Sequence, residues 1–377
     1  MRRLVLVLGL LFFCCAPAHA QWGNGYTYRR TINIPAISVS TDQSNFPVLV
    51  SGTYSYLATT ANGGNVTNAS GYDIIFTSDS AGASILPFER TTWSATSGAV
   101  EFWVKVATLS HSTSTVIYEF YNNAAVTTDQ SNPTGTWDSN FVGVWHLPNG
   151  TSLGLGDSTS HANNGTNSGT AVTAGTGKID GAGVFGGSSY IDVPAASNAP
   201  IDNLFSGNNW TLECWAKPTS TSTLDQNFMA YGTGSSAATD VIFIYGLASA
   251  NTVSVYMNGW YTFSHSMSAA DWQHVAVTYS SGTLTAYYNG AAVGSPATGL
   301  SNATATTAQD FWIGVQGSGL YNNWTGSLDE VRISNSTRSA DWLATENANQ
   351  NSPSTFYSVG GATTSGGSTV VVRRRGA

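Results

Sequence analysis

The residues that could do chemistry are few, and the densest group lies in Gly326-Ser327-Leu328-Asp329-Glu330-Val331-Arg332-Ile333-Ser334. Two carboxylates and a guanidinium stand together there, in a chain of which only 9% is charged, against about a quarter in an ordinary soluble protein. Glycoside hydrolysis needs two carboxylates about 5–10 Å apart across one bond, which on a strand means a spacing of two. Asp329 and Glu330 are adjacent and point to opposite faces of a strand, and Glu213 has no acidic residue two positions away. No catalytic residue is therefore assigned. Glu330 and Arg332 share a strand face, where a surface ion pair worth under about 1 kcal/mol is the expectation.

Two other signals fail on context. Gly181-Ala182-Gly183-Val184-Phe185-Gly186 spells a dinucleotide fingerprint, but Tyr190-Ile191-Asp192-Val193 follows as a strand, with no βαβ unit around it. His111, His146, His161, His265 and His274 are scattered, without H-x-H or H-E-x-x-H spacing, which disfavours zinc. Sugar recognition fits the composition better, because exposed flat rings flanked by amides and carboxylates stack on pyranoses. Trp260 and Tyr261 follow the Asn258-Gly259 turn, and Tyr321 and Trp324 bracket Asn322-Asn323; these four are the carbohydrate-binding candidates.

The elements that must position these residues are strands. Val, Ile, Thr, Tyr and Trp are plentiful, Lys occurs three times, and Gly, Ser, Thr and Asn fill the turns, which favours an all-β protein. Phe102, Val104 and Val106 alternate with Glu101, Trp103 and Lys105, the pattern of a strand with one buried face. Asn258-Gly259, Ser281-Gly282 and Asn289-Gly290 each mark a hairpin. One short helix is expected at Ala340 to Ala348, with Ser339 as N-cap and Asp341 in its first turn. The chain divides as a signal peptide (1–20), a β-sandwich (21–128), a Pro/Gly/Asn linker (129–139), a second β-sandwich (140–360) and a flexible tail (361–377) that contains Val370 to Val372.

The first twenty residues read as an export signal: Arg2 and Arg3, an apolar core from Leu4 to Phe13 too short to span a bilayer, and Ala18-His19-Ala20 before Gln21. Without them the chain keeps eleven basic and twenty-one acidic residues, a net charge of −10. That disfavours nucleic acid and anionic membrane as partners. Cys214 is then the only cysteine and alternates with Trp210, Leu212 and Ala216, so it is expected to be buried and inert.

Residues 22–128 resemble a bacterial family known as domain of unknown function 2341. The resemblance rests on YRR at Tyr28 to Arg30, FPVLV at Phe46 to Val50, GYDIIFTS at Gly71 to Ser78, LPFE at Leu86 to Glu89, EFWVKV at Glu101 to Val106 and EFYNN at Glu119 to Asn123. It implies an exported β domain without an assigned chemistry. Residues 141–360 resemble the laminin-G-like jelly rolls of the concanavalin A-like lectin and glucanase superfamily, through VWHL at Val144 to Leu147, GDSTSHANNGT at Gly156 to Thr166, WTLECWAKP at Trp210 to Pro218, WQHVAVTY at Trp272 to Tyr279, FWIG at Phe311 to Gly314 and SLDEVRISNSTRSADWL at Ser327 to Leu343. That superfamily holds binders and hydrolases, but the E-x-D-x-x-E run of its glucanases does not occur here. The resemblance places Trp210, Trp272 and Trp312 in the core. It also implies structural calcium, for which Asp157 and Asn164 in an oxygen-rich loop and Asp329 at the closing strand are the candidates. The alternative is that Asp157 and Asn164 cap turns and that Asp329 ties loop amides.

The expectation is thus an all-β chain of two β-sandwich domains, the second a concanavalin A-like jelly roll, with one short C-terminal helix. It is exported to the cell surface or beyond, does not insert in a membrane, and binds carbohydrate or a cell-surface protein without catalysis. Two alternatives remain open: a self-assembling surface or filament protein, and a glucanase-type glycoside hydrolase.

Overall fold

A computed structural model describes residues 22–148, 152–195, 199–205, 207–221, 225–246, 252–269, 271–304, 309–317 and 321–365. The export segment and the Val370 to Val372 run lie outside the described residues. The chain is nearly all β, as its composition predicts.

Six strands open the first sandwich: β1 (Tyr28–Ile34), β2 (Gln43–Thr53), β3 (Ile74–Thr77), β4 (Phe88–Trp93), β5 (Ala99–Leu109) and β6 (Thr115–Tyr121). One of its sheets runs β2-β5-β4 and the other contains β1-β6-β3. A short helix α1 (Pro133–Thr136) follows, within the stretch expected to be a linker. Asn132 caps it, its side chain accepting from the amide of Gly135. Trp137 behind it is buried and donates its Nε1–H to Glu89 Oε2 at 2.7 Å.

The second sandwich begins with β7 (Phe141–Trp145), β8 (Thr166–Gly169), β9 (Thr173–Ile179), β10 (Gly181–Gly186) and β11 (Ser189–Val193), then helix α2 (Ala199–Leu204). It continues with β12 (Asn209–Pro218), β13 (Gln226–Tyr231), β14 (Val241–Tyr245), β15 (Thr252–Tyr256) and β16 (Trp260–Ser264). Next come β17 (Gln273–Ser280), β18 (Thr283–Tyr288), β19 (Ala291–Ala297), β20 (Phe311–Ile313) and β21 (Thr325–Ser334). Two antiparallel sheets result. One has the order β19-β18-β17-β12-β21-β10-β9 with β7 also on β21; the other has the order β16-β15-β14-β13-β20-β11-β8. The tight hairpins form where their turn residues accept left-handed backbone: Asn258 at φ 56° and Asn289 at φ 46°, the latter followed by Gly290 at φ 79°. Between the sheets Trp145, Phe185, Trp210, Phe228, Phe243 and Ile333 build the core, and Cys214 is buried among them. Burial raises its thiol pKa well above the ordinary value, so it is inert.

The C-terminal elements return to the first sandwich. Helix α3 (Ala340–Asn351) starts at Ser339, whose Oγ accepts from Trp342 N at 3.0 Å. Its Asn349 side chain bonds both backbone groups of Leu49, at 2.7 and 3.1 Å, and Trp342 packs on Phe46 with the rings tilted at 54° and centroids 4.8 Å apart. Asp341, expected to serve the helix dipole alone, also accepts from Ser40 and Thr41 of the first sandwich. After α4 (Pro353–Phe356), strands β22 (Ser358–Val359) and β23 (Thr363–Thr364) pair with β1. Residues placed by sequence at the end of the jelly roll and the start of the tail therefore belong to the first sandwich's sheet.

Candidate functional site

Each sheet of the jelly roll has an outward face, and the two faces have opposite chemistry. Antiparallel register puts directly paired residues on one side of a sheet, so cross-strand partners trace rows. On the eight-stranded sheet one outward row is Val144–Arg332–Glu213–Ala276–Tyr287. The first sandwich and α3 cover it. Arg332 is 1% exposed, with its guanidinium 4.5 Å from the ring centre of Trp103 and 5.0 Å from that of Trp137. It donates to Glu330 Oε2 at 2.6 Å and to Glu346 Oε1 of α3. The surface ion pair expected for Glu330 and Arg332 is therefore a buried one, because a second domain lies on top of it. The same cover explains Trp103, whose strand face reads as exposed in sequence but is fully buried.

Glu330 sits in a bulge of β21 at φ 49°, an unusual conformation for a non-glycine residue. From there its carboxylate reaches His146 Nδ1 at 2.8 Å, while His146 Nε2 lies 3.2 Å from Glu89 of the first sandwich. Burial alone would lower the His146 pKa, but the two carboxylates outweigh it and raise it to about 10, so the ring is an imidazolium. Glu89 is also buried, yet His146, Ser158 and Trp137 donate to it and hold its pKa below the ordinary carboxylate value. Farther along the seam, burial takes His274 down to about 4 and Glu346 up to about 8, the latter with help from Glu213.

The seven-stranded sheet turns Ile191, Val193, Val241, Phe243, Val253, Val255, Phe311 and Ile313 into the core. By strand alternation its other face carries the row Asp192–Trp312–Ala230–Ile242–Tyr256–Trp260. Ile242, Ile244, Trp312 and Val315 pack there with Tyr190 and Tyr256. Tyr256 meets Trp260 edge to face, with centroids 5.3 Å apart. Trp260 is 36% exposed at the sheet edge. At the other end, burial raises Asp192 to about 6, and Asp310 beside it adds to the shift. Ser254 and Thr262, paired in the adjoining row, place hydroxyls on this face, 3.1 Å apart.

The four aromatic candidates are not brought together. Trp260 and Tyr321, the latter 63% exposed, lie at the surface. Tyr261 does not share Trp260's face: neighbours on a strand diverge, and its ring packs on the core. Trp324 is fully buried against Phe228, with centroids 5.0 Å apart, and cannot stack on a ligand. Trp210 and Trp312 are buried as expected, Trp312 in a small cluster on the opposite face of the seven-stranded sheet, whereas Trp272 is only partly buried. Tyr190, Asp192 and Tyr256 were not singled out in sequence; their signal was the strict alternation of β11 and β15 once the sheet order is known.

The three calcium candidates do not form one site. Asp157 accepts four hydrogen bonds, from Val144 N, Thr159 N, Thr159 Oγ1 and Asn163 N, at 2.8–2.9 Å. Asn164 Oδ1 accepts from Asp157 N at 2.9 Å. Asp329 instead ties the β9–β10 turn, accepting from Lys178 N and Ile179 N at 2.8 and 2.9 Å. Burial and then Glu330 raise its pKa well above the usual carboxylate range. These oxygens hold loops.

Residues 185–344, from β10 into α3, match the model of the concanavalin A-like lectin/glucanases superfamily. The match includes none of the first sandwich. Among solved structures, domain 4 of AbnA, an extracellular GH43 arabinanase from Geobacillus stearothermophilus in complex with arabinotriose, is 20% identical, with a TM-score of 0.44 over 54% of this chain and 97% of that one. The receptor binding domain of the botulinum neurotoxin C/D mosaic serotype is 10% identical, with a TM-score of 0.41; the chain covers 51% of it, about half its length, with 56% of its own. The CBM40 of Ruminococcus gnavus IT-sialidase, bound to α2,3-sialyllactose, is 13% identical, with a TM-score of 0.34 over 40% of this chain and 87% of that one. No curated protein matches the chain.

Proposed function

We propose that the chain is an exported, non-catalytic protein that recognises carbohydrate on the open face of its seven-stranded sheet. One observation carries the reading: the jelly roll has one outward face sealed by the first sandwich, whereas the other, buried at Trp312 and Ile242, ends at its β15–β16 edge in the rings of half-buried Tyr256 and of Trp260, which is 36% exposed. Large rings on an uncovered sheet face lose contact with water when a flat apolar sugar face stacks on them. Tyr256 and Trp260 supply such rings, with Asp192 and the exposed Thr262 as hydrogen-bonding groups for hydroxyls. The superfamily match over residues 185–344 supports the reading, and the Arg2 to Ala20 segment supports export.

A glycan array probed with residues 21–377, with and without calcium, tests this. Binding to at least one polysaccharide class is expected, equal in both conditions, because the carboxylate of Asp157 is already saturated by protein donors. Binding to no glycan in either condition overturns the carbohydrate reading and leaves a protein partner.

A further inference from the structure

We propose that Glu213, His274 and Glu346 bind one divalent transition-metal ion of the zinc class in the seam between the two domains. Glu213 on β12, His274 on β17 and Glu346 on α3 are each at most 2% exposed, and one ligand atom from each lies within 4.8 Å of the other two. Two carboxylate oxygens, Glu213 Oε2 and Glu346 Oε2, are buried without a hydrogen-bond partner, and His274 Nε2 lies 3.6 Å from Glu213 Oε2. An orphaned carboxylate oxygen in a dry seam costs more than a satisfied one, and an ion held between the three side chains would satisfy both.

The ion pairs of the seam agree with this placing: Glu89 and Glu330 meet the imidazolium of His146, Glu330 and Glu346 meet Arg332, and Glu213 faces the His274 ring at 3.6 Å. Arg332 does not occupy the place, because it holds Glu346 through Oε1 and leaves Oε2 free. In a tetrahedral site with bonds near 2.0–2.2 Å the donor atoms stand about 3.4 Å apart, so the three side chains close on an ion by moving about 1 Å. One imidazole and two carboxylates suit zinc or manganese. Calcium, with about six to eight oxygens to collect, does not fit. The sequence conceals the site because its donors come from three separate elements, with no short ligand spacing.

The test is refolding of residues 21–377 from denaturant in the presence of Zn²⁺, Mn²⁺, Ca²⁺ or EDTA, then desalting, elemental analysis and thermal melting. About one equivalent of zinc or manganese should remain and none of calcium, with a Tm several degrees above the EDTA sample. Glu213→Gln and Glu346→Gln should each lower retention at least tenfold. Retention below about a tenth of an equivalent for every metal, with identical melting, overturns the proposal. So does one equivalent retained undiminished in both variants, because the ion then sits elsewhere. Should the variants not fold, refolding the unsubstituted chain with Co²⁺ decides. A strong visible band of tetrahedral cobalt supports the site, and its absence overturns it.

Discussion

The outward face of β12, β17 and β21 carries Glu213, His274 and Arg332 and is sealed by the first sandwich and α3, whereas that of β14, β15 and β20 carries Ile242, Tyr256 and Trp312 and is roofed by its own rings. The usual distribution would put charge toward water and rings under cover. Its inversion has a physical reason on each side. Charges can be buried where opposite charges and aromatic faces meet them, as Arg332 meets Glu330, Glu346, Trp103 and Trp137. On the other sheet Trp312 and Ile242 are buried and only the edge rings Tyr256 and Trp260 reach the surface. The sealed face joins domains, and the edge of the other is the part that the proposed function uses.

The sealed face should break hardest. Arg332→Met strands Glu330 and Glu346 in the seam and should destabilise the chain by about 3–5 kcal/mol in chemical denaturation. Adding Glu330→Gln and Glu346→Gln to the same chain should restore most of that loss, since the desolvated charges are then gone. An Arg332→Met chain as stable as the parent would mean that the seam is wet.

Alkali should loosen the same face next. The His146 pKa is raised to about 10 by Glu330 and Glu89, so its ion pairs are fully present below the unfolded value near 6.5 and are lost as pH rises through about 10. Melting temperature should fall between pH 7 and 10, and His146→Asn should flatten that dependence. An identical slope in the variant would take the imidazolium out of the account.

The open face should respond in binding and hardly in stability. Trp260→Ala should weaken the bound glycan at least tenfold, about 1.4 kcal/mol, while stability changes by no more than about 0.5 kcal/mol. The smallest effect belongs to Asp192, which accepts from hydroxyls more strongly when ionised. Glycan affinity should decline modestly as pH falls through about 6, and Asp192→Asn should remove that step in a titration series.

Much of the fold was legible because strands and turns announce themselves locally. Ala99–Leu109 forms the strand that the alternation of Phe102, Val104 and Val106 predicts, Asn289-Gly290 turns a hairpin, and Ser339 caps the helix. Less of the site was legible, because the outward faces depend on what covers them. No pattern within β5 says that Trp103 meets a second domain. Asp329-Glu330-Val331-Arg332 reads as a regular strand, yet Glu330 lies in a bulge with positive φ, which sequence does not signal for a glutamate. The seam gathers Glu89, His146, Glu213, His274, Arg332 and Glu346, residues from five elements and from the position just after β7, spread over most of the chain. The open row runs across six strands, so it becomes a row only when the sheet order is known.

Oxidative footprinting of the folded chain, alone and with its bound glycan, reads both faces at once. In the free protein Trp260 should oxidise readily while Trp103 and Trp215, the latter buried on β12 with its Nε1–H donated to Gln350 of α3, stay unreactive, and the glycan should protect Trp260 without changing the seam. Trp103 and Trp215 oxidised as fast as Trp260, or Trp260 unprotected at saturating glycan, would contradict the division into a sealed and a binding face.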